Sequence, residues 1–183
     1  MEKRKRTREI KIGNLILGGD NPILIQSMCN IKTSKVEEVA AQINRCASLG
    51  ADLMRLSVLD EEDARSFKAI KSLVNIPLIA DIHFDYKLAL LSIENGADAI
   101  RINPGNIGGL DKVEAIVNLC KEKGVAIRVG ANSGSIKKDY EGLSKAEALL
   151  ASVDEYVKIL ESFSFHNIVI SLKGSSIEDC LEA

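Results

Sequence analysis

Six short apolar runs, at 22–28, 51–58, 76–83, 99–103, 126–130 and 167–173, are nearly continuous in Ile, Leu, Val and Ala. Runs of this length, apolar at both parities, read as parallel strands whose faces are both covered. The segments between them, 34–49, 61–74, 86–94, 110–123 and 144–162, space apolar residues by three and four and keep charge on the other side. That spacing predicts amphipathic helices. Gly50, Gly96 and Gly124 fall just past three of these helices, where a left-handed C-terminal cap is expected. Ser34 and Ser144, each followed three residues on by Glu37 and Glu147, predict capping boxes. The opening segment 9–17 predicts a short hairpin turning at Gly13-Asn14.

Strict strand–helix alternation leaves two α/β architectures, a doubly wound sheet or a (β/α)8 TIM barrel. The strand ends decide between them. Nearly every run finishes in polar groups: Gln26, Arg55, Asp81 with His83, Arg101 with Asn103, Arg128, and Ser171 with Lys173. A doubly wound sheet gathers its chemistry at one or two switch-point loops, whereas a closed ring brings every strand end to one mouth. The barrel is therefore expected, and residues 1–183 form one partial barrel domain of six β/α units behind an N-terminal hairpin. Eight strands close such a ring, and raw edges are an aggregation liability. The expectation is a fragment, or a chain completed by a partner.

Composition narrows the function. With 46% apolar residues, 27% charged residues and a net charge of −2, this is an ordinary globular balance that argues against nucleic-acid binding. Aromatics are scarce, with no Trp, so base-stacking platforms are not expected. No apolar run is long enough to span a bilayer. Cys29, Cys46, Cys120 and Cys180 are widely spread and form no Cys-x-x-Cys pair, so neither a metal nor a cluster held by this chain is expected. Cys29, Cys46 and Cys120 read as small hydrophobes, and disulfides are not expected, which places the protein in a reducing cytoplasm. The basic run at 3–8 reads as a solvated tail, and Asp85 and Asp139 as solvated loop residues.

The mouth carries the chemistry. Period-two alternation turns Arg55, Arg101, Arg128 and Lys173 to the same end as one carboxylate, Asp81. Cations left unpaired out of water are costly, so such a cluster calls for an anionic, oxygen-rich ligand. Arginine favours bidentate phosphate contact, and three arginines with a lysine suit a diphosphate. Glycine-rich turns at 104–109 and 130–135 add backbone amides, and neither has the Gly-Lys-Ser/Thr of a nucleotide loop. Asp81 and His83, two residues apart on one strand face, are candidates for orienting a hydroxyl or moving a proton. No third metal ligand accompanies them.

Four motifs stand in the order of one family: Gly19-Asp20-Asn21-Pro22 with Ile25-Gln26-Ser27-Met28, then Ala80-Asp81-Ile82-His83-Phe84-Asp85, then Arg101-Ile102-Asn103-Pro104-Gly105-Asn106-Ile107-Gly108, and Arg128-Val129-Gly130-Ala131-Asn132-Ser133-Gly134-Ser135. The chain resembles the N-terminal barrel of the 4-hydroxy-3-methylbut-2-enyl diphosphate synthases of the non-mevalonate isoprenoid pathway. The resemblance implies reductive opening of 2-C-methyl-D-erythritol 2,4-cyclodiphosphate with loss of water. It implies a [4Fe–4S] cluster on a separate C-terminal domain, absent from this chain and fed by ferredoxin or flavodoxin. It further implies a homodimer in which that domain closes over the partner's barrel. By the resemblance, Arg55, Arg101, Arg128 and Lys173 hold the diphosphate, Asn103 and Asn132 support it, and Asp81 and His83 lie near the hydroxyl-bearing carbons. The family more often has Thr where Cys29 stands. Two other readings remain: a barrel like dihydropteroate synthase, and a non-catalytic diphosphate-binding fragment.

Overall fold

A computed structural model describes residues 6–104, 106–132, 142–174 and 176–182, with the backbone alone at Asn132, Asp179 and Cys180. Ser133–Ser135 and Asp139 lie outside the described residues, as does Gly105. The chain opens with the hairpin β1 (Ile10–Ile12) and β2 (Leu15–Leu17), paired antiparallel around Gly13, which takes φ +58°. Strands and helices then alternate: β3 (Gln26–Met28), α1 (Val36–Ser48), β4 (Leu53–Ser57), α2 (Glu61–Leu73), β5 (Leu78–Asp81) and α3 (Tyr86–Glu94). They continue as β6 (Ala99–Arg101), α4 (Leu110–Lys123), β7 (Ala126–Asn132), α5 (Lys145–Ser162), β8 (Ile168–Lys173) and α6 (Ile177–Glu182). β3 to β8 form one six-stranded parallel sheet in sequence order.

The sheet separates two environments by parity. Outward residues Met54, Leu56, Leu78, Ala80, Ile82, Ile100, Ile102, Ile127 and Val129 pack against the helices in the larger core. Inward residues Leu53, Ile79, Ala99 and Ala126 meet Ile10 and Ile12 of the hairpin, which closes the floor. Two residues further along those same strands, the inward positions are Arg55, Asp81, Arg101 and Arg128. The inside of the arc is thus apolar at its base and charged at its mouth.

One hydrogen bond shows how strongly the sheet curves. Arg128 on β7 reaches Gln26 on β3 at 2.6 Å, although β4, β5 and β6 lie between them. In a flat sheet four strand spacings would separate these strands by about 19 Å, beyond the reach of the two side chains. The strands therefore bend into a barrel arc.

Several local expectations are corrected. β3 is three residues long, because Gln26 pairs with Leu53, the first residue of β4, and the residues before it have no ladder partner. Ser34 does not cap α1: Lys35 occupies that position without a side-chain bond, and the Ser34 N–H donates to Asp63 Oδ1 at 2.9 Å. The second box does form, with the Glu147 N–H donating to Ser144 Oγ and the Ser144 N–H to Glu147 Oε2. Asp85 is exposed just ahead of α3, as expected of a solvated loop residue, and its side chain also caps that helix by accepting from the Lys87 N–H. Gly130 does not open a turn. β7 runs on to Asn132 because β8 extends alongside it, pairing Gly130, Ala131 and Asn132 with Ser171, Leu172 and Lys173.

Two latches brace the β/α loops. Buried Asp63 accepts from the Ser34 and Leu59 N–H groups, tying the loop after β3 to the loop after β4. Buried Thr33 adds a bond from its hydroxyl to the Ser57 carbonyl at 2.6 Å. At the opposite end, Asp52 accepts from Ile25 N–H and Asp98 from Leu78 N–H, each in a Gly-Ala-Asp sequence that follows a helix. These carboxylates bond the amide just before β3 and the first amide of β5.

Candidate anion-binding site

The register of the sheet assembles the mouth. Ser57 pairs with Asp81, Asp81 with Arg101, and Arg101 with Arg128, so the charged side chains stand side by side on neighbouring strands. Asp81 is 4% exposed. Its Oδ1 accepts from Arg101 Nη1 at 3.2 Å, and its Oδ2 lies 3.4 Å from Arg55 Nε. The Arg55 guanidinium also rests on Met28 Sδ, 3.0 Å from Nη2. Arg128 donates through Nη1 to Gln26 Oε1 at 2.6 Å and through Nη2 to Ser171 Oγ at 2.9 Å. Arg55, Arg101, Arg128, Gly130, Ser171 and Lys173 together line one cleft.

Electrostatics in the cleft are one-sided. Burial, then the nearby Arg55 and Arg101 guanidinium groups, pull the pKa of Arg128 down. Partial burial, then Arg55, Arg128 and Arg101, pull Lys173 below the ordinary lysine value. The protein thus holds cations close enough to repel one another, with Asp81 as the carboxylate among them. An anion placed in the cleft relieves both the repulsion and the desolvation. Gly130 keeps the cleft open at its edge: a Cβ there would come 2.8 Å from the Ser171 carbonyl oxygen.

His83 is exposed at the rim, with Nδ1 3.5 Å from Arg101 Nη1 and Nε2 3.9 Å from Asp81 Oδ1. The pair therefore meets as the strand spacing predicts, with Asp81 inside and His83 on the lip. Asn103 stands just beyond β6, where its carbonyl closes a turn by accepting from the Asn106 N–H at 2.9 Å. The Asn132 backbone ends β7 opposite Lys173, and its side chain lies outside the described residues. Gln26 and Ser171 count among the polar strand ends in the sequence, but their contact with Arg128 is not legible there. Their one signal is matching inward parity.

Burial followed by Cys46 pushes the Cys29 thiol up to about 11, and burial alone pushes Cys120 up to about 12, as in inert buried thiols. Among the described residues no group of three His, Cys, Asp or Glu is placed to hold a metal ion. No helix among them is long and apolar enough to cross a membrane.

Residues 7–183 match the GcpE TIM-barrel domain family. The chain is 51% identical to the 4-hydroxy-3-methylbut-2-en-1-yl diphosphate synthase (flavodoxin) of Clostridium perfringens, over 98% of this chain and 52% of the relative. It is likewise 51% identical to the enzyme of that name from Caldanaerobacter subterraneus, over 100% of this chain and 52% of the relative. The chain thus spans about half the length of these curated relatives. Among solved structures, Yersinia pestis dihydropteroate synthase superposes with a TM-score of 0.68 at 13% identity, covering 88% of this chain and 61% of that one. The Vibrio fischeri dihydropteroate synthase gives 0.62 at 11% identity, covering 90% and 66%. At such identities the likeness is one of fold alone.

Proposed function

This chain belongs to the GcpE TIM-barrel family, and from that premise we propose that it is the diphosphate-gripping barrel of a 4-hydroxy-3-methylbut-2-en-1-yl diphosphate synthase. The substrate is then 2-C-methyl-D-erythritol 2,4-cyclodiphosphate, opened reductively with loss of water to the allylic diphosphate in isoprenoid biosynthesis. The observation that carries this reading is the charge imbalance of the mouth, where Arg55, Arg101, Arg128 and Lys173 surround Asp81. A diphosphate supplies the missing negative charge, and guanidinium groups match its oxygens bidentately.

In this reading the barrel binds and orients, while Asp81 holds Arg55 and Arg101 in position against the phosphates. His83, on the rim beside Asp81, faces the carbon end of the substrate and holds or passes a proton there. Asn103 and Asn132 support the diphosphate from the strand ends. A [4Fe–4S] cluster, carried by residues of the longer protein, supplies two electrons from flavodoxin, which the relatives' names specify, or from ferredoxin. The whole enzyme is a cytoplasmic homodimer, with the cluster domain of one subunit over the barrel of the other. The chain by itself binds ligand weakly and does not turn over.

A calorimetric titration tests the reading. The chain is titrated with the cyclodiphosphate and, in parallel, with a pterin diphosphate. Binding of the first and not the second is expected, and Arg101→Ala should weaken it by roughly tenfold or more, the loss of one charge-assisted contact. The opposite preference, or an unchanged affinity in folded Arg101→Ala, overturns the reading.

A further inference from the structure

Arg128 is held unlike the other two arginines of the mouth. Arg55 and Arg101 both touch Asp81, so part of their charge is answered inside the protein. Arg128 donates instead to two neutral acceptors, the Gln26 amide oxygen at 2.6 Å and the Ser171 hydroxyl at 2.9 Å. No carboxylate among the described residues pairs with it. The two acceptors come from opposite ends of the sheet, β3 and β8, so the guanidinium is gripped from both sides. Gln26 sits at the boundary between the two layers of the arc. It lines the apolar space above the hairpin together with Leu24, Leu53, Ile79 and Ala99, and it brings an acceptor to that side of Arg128.

We propose that Gln26 and Ser171 are positioning residues that fix the orientation of the Arg128 guanidinium while leaving its charge uncompensated for the ligand's phosphate. The proposal rests on the diphosphate reading above and adds residues which that reading does not use. Its chemical content is the choice of neutral acceptors. A carboxylate at either place would satisfy the same N–H groups but cancel the field that draws the anion. Gln and Ser hold the fork still, leave the remaining N–H donors facing the cleft and keep the full positive charge. Holding the fork in advance also spares the ordering entropy of a long side chain on binding.

The test titrates inorganic pyrophosphate into the chain and into Q26L, Q26E, S171A, R128K and the Q26L/R128K pair. Folding of each is followed by circular dichroism and thermal melting. Q26L and S171A should each weaken pyrophosphate binding by about tenfold. Q26E keeps an acceptor of nearly the same shape, yet should weaken binding at least as much as Q26L. In the R128K background Q26L should cost less than threefold, because the fork it positions is gone. A spectroscopic readout stands apart from affinity: the Arg128 guanidinium signals should show slow rotation in the wild type and should average in Q26L or, where that variant fails to fold, in S171A. Additive losses in the double variant, or Q26E binding as tightly as the wild type, overturn the positioning role alone. A wild-type chain that binds no pyrophosphate overturns the diphosphate reading, and this proposal with it.

Discussion

Asp81 and Arg101 occupy paired positions on neighbouring strands, and their side chains meet at 3.2 Å in the mouth of the arc. The other carboxylate oxygen faces Arg55 on the opposite neighbour at 3.4 Å. One buried anion thus separates two cations. Asp81→Asn keeps the shape and removes the charge, leaving the guanidinium groups to repel each other. Urea denaturation should show a loss of about 3 kcal/mol, in the range found when one partner of a buried pair is removed. Millimolar pyrophosphate should restore more stability to this variant than it adds to the wild type. Equal ligand-induced shifts would contradict the assigned role.

Lys173 provides the pH dependence. Partial burial and the surrounding arginines depress its pKa below 10.5, so it loses its proton earlier than an exposed lysine as pH rises. Pyrophosphate affinity should therefore begin to fall below pH 10.5, and binding in alkaline buffer should take up a proton. Without ligand the sign for folding is opposite. The depressed pKa means that the unfolded chain binds the proton more tightly, so this group's contribution to stability grows as pH rises through the interval below 10.5. Lys173→Gln should remove both effects in calorimetry run in buffers of different ionisation enthalpy.

Gly130 tests the closeness of β7 and β8. An added Cβ would meet the Ser171 carbonyl oxygen at 2.8 Å, backbone against side chain, with no flexible neighbour to yield. Gly130→Ala should cost about 1–3 kcal/mol as an overpacking change. Because Gly130 also lines the cleft, pyrophosphate affinity should drop with it. A variant as stable as the wild type in urea would show that the strands part without penalty.

The Asp63 latch should be separable from the mouth. Its carboxylate accepts from the Ser34 and Leu59 N–H groups, and Asp63→Ala leaves both without that acceptor, at about 1 kcal/mol for each of these partly exposed donors. Hydrogen exchange at Ser34 and Leu59 should accelerate, while pyrophosphate affinity in the folded variant stays within a factor of two. Unchanged exchange at both amides would rule the latch out.

Periodicity made the architecture legible. Continuous apolar runs and amphipathic segments gave six β/α units with boundaries close to those observed, and parity alone placed Arg55, Asp81, Arg101 and Arg128 on one inner face. What escaped were contacts decided by partners far away in the chain. Ser34 carries a good local capping signal, but Asp63, 29 residues on, takes its amide. The run at 22–28 looks like a full strand, yet β4 offers a partner only from Leu53 onward. Gln26 and Ser171 have the right parity and ordinary chemistry, and their pairing with Arg128 depends on how far the sheet curls. No local pattern encodes that curvature.

The Gln26–Arg128 bond spans 102 residues, whereas most of the sheet joins each strand to the next unit along. Neighbouring units can dock early and locally, but this contact waits until five strands have been laid down in register and bent. Chain closure over such separations is slow compared with local pairing. Anion binding should therefore be a late marker in time: during refolding, the far-UV signal of the helices is expected to precede the moment at which the chain can first take up pyrophosphate.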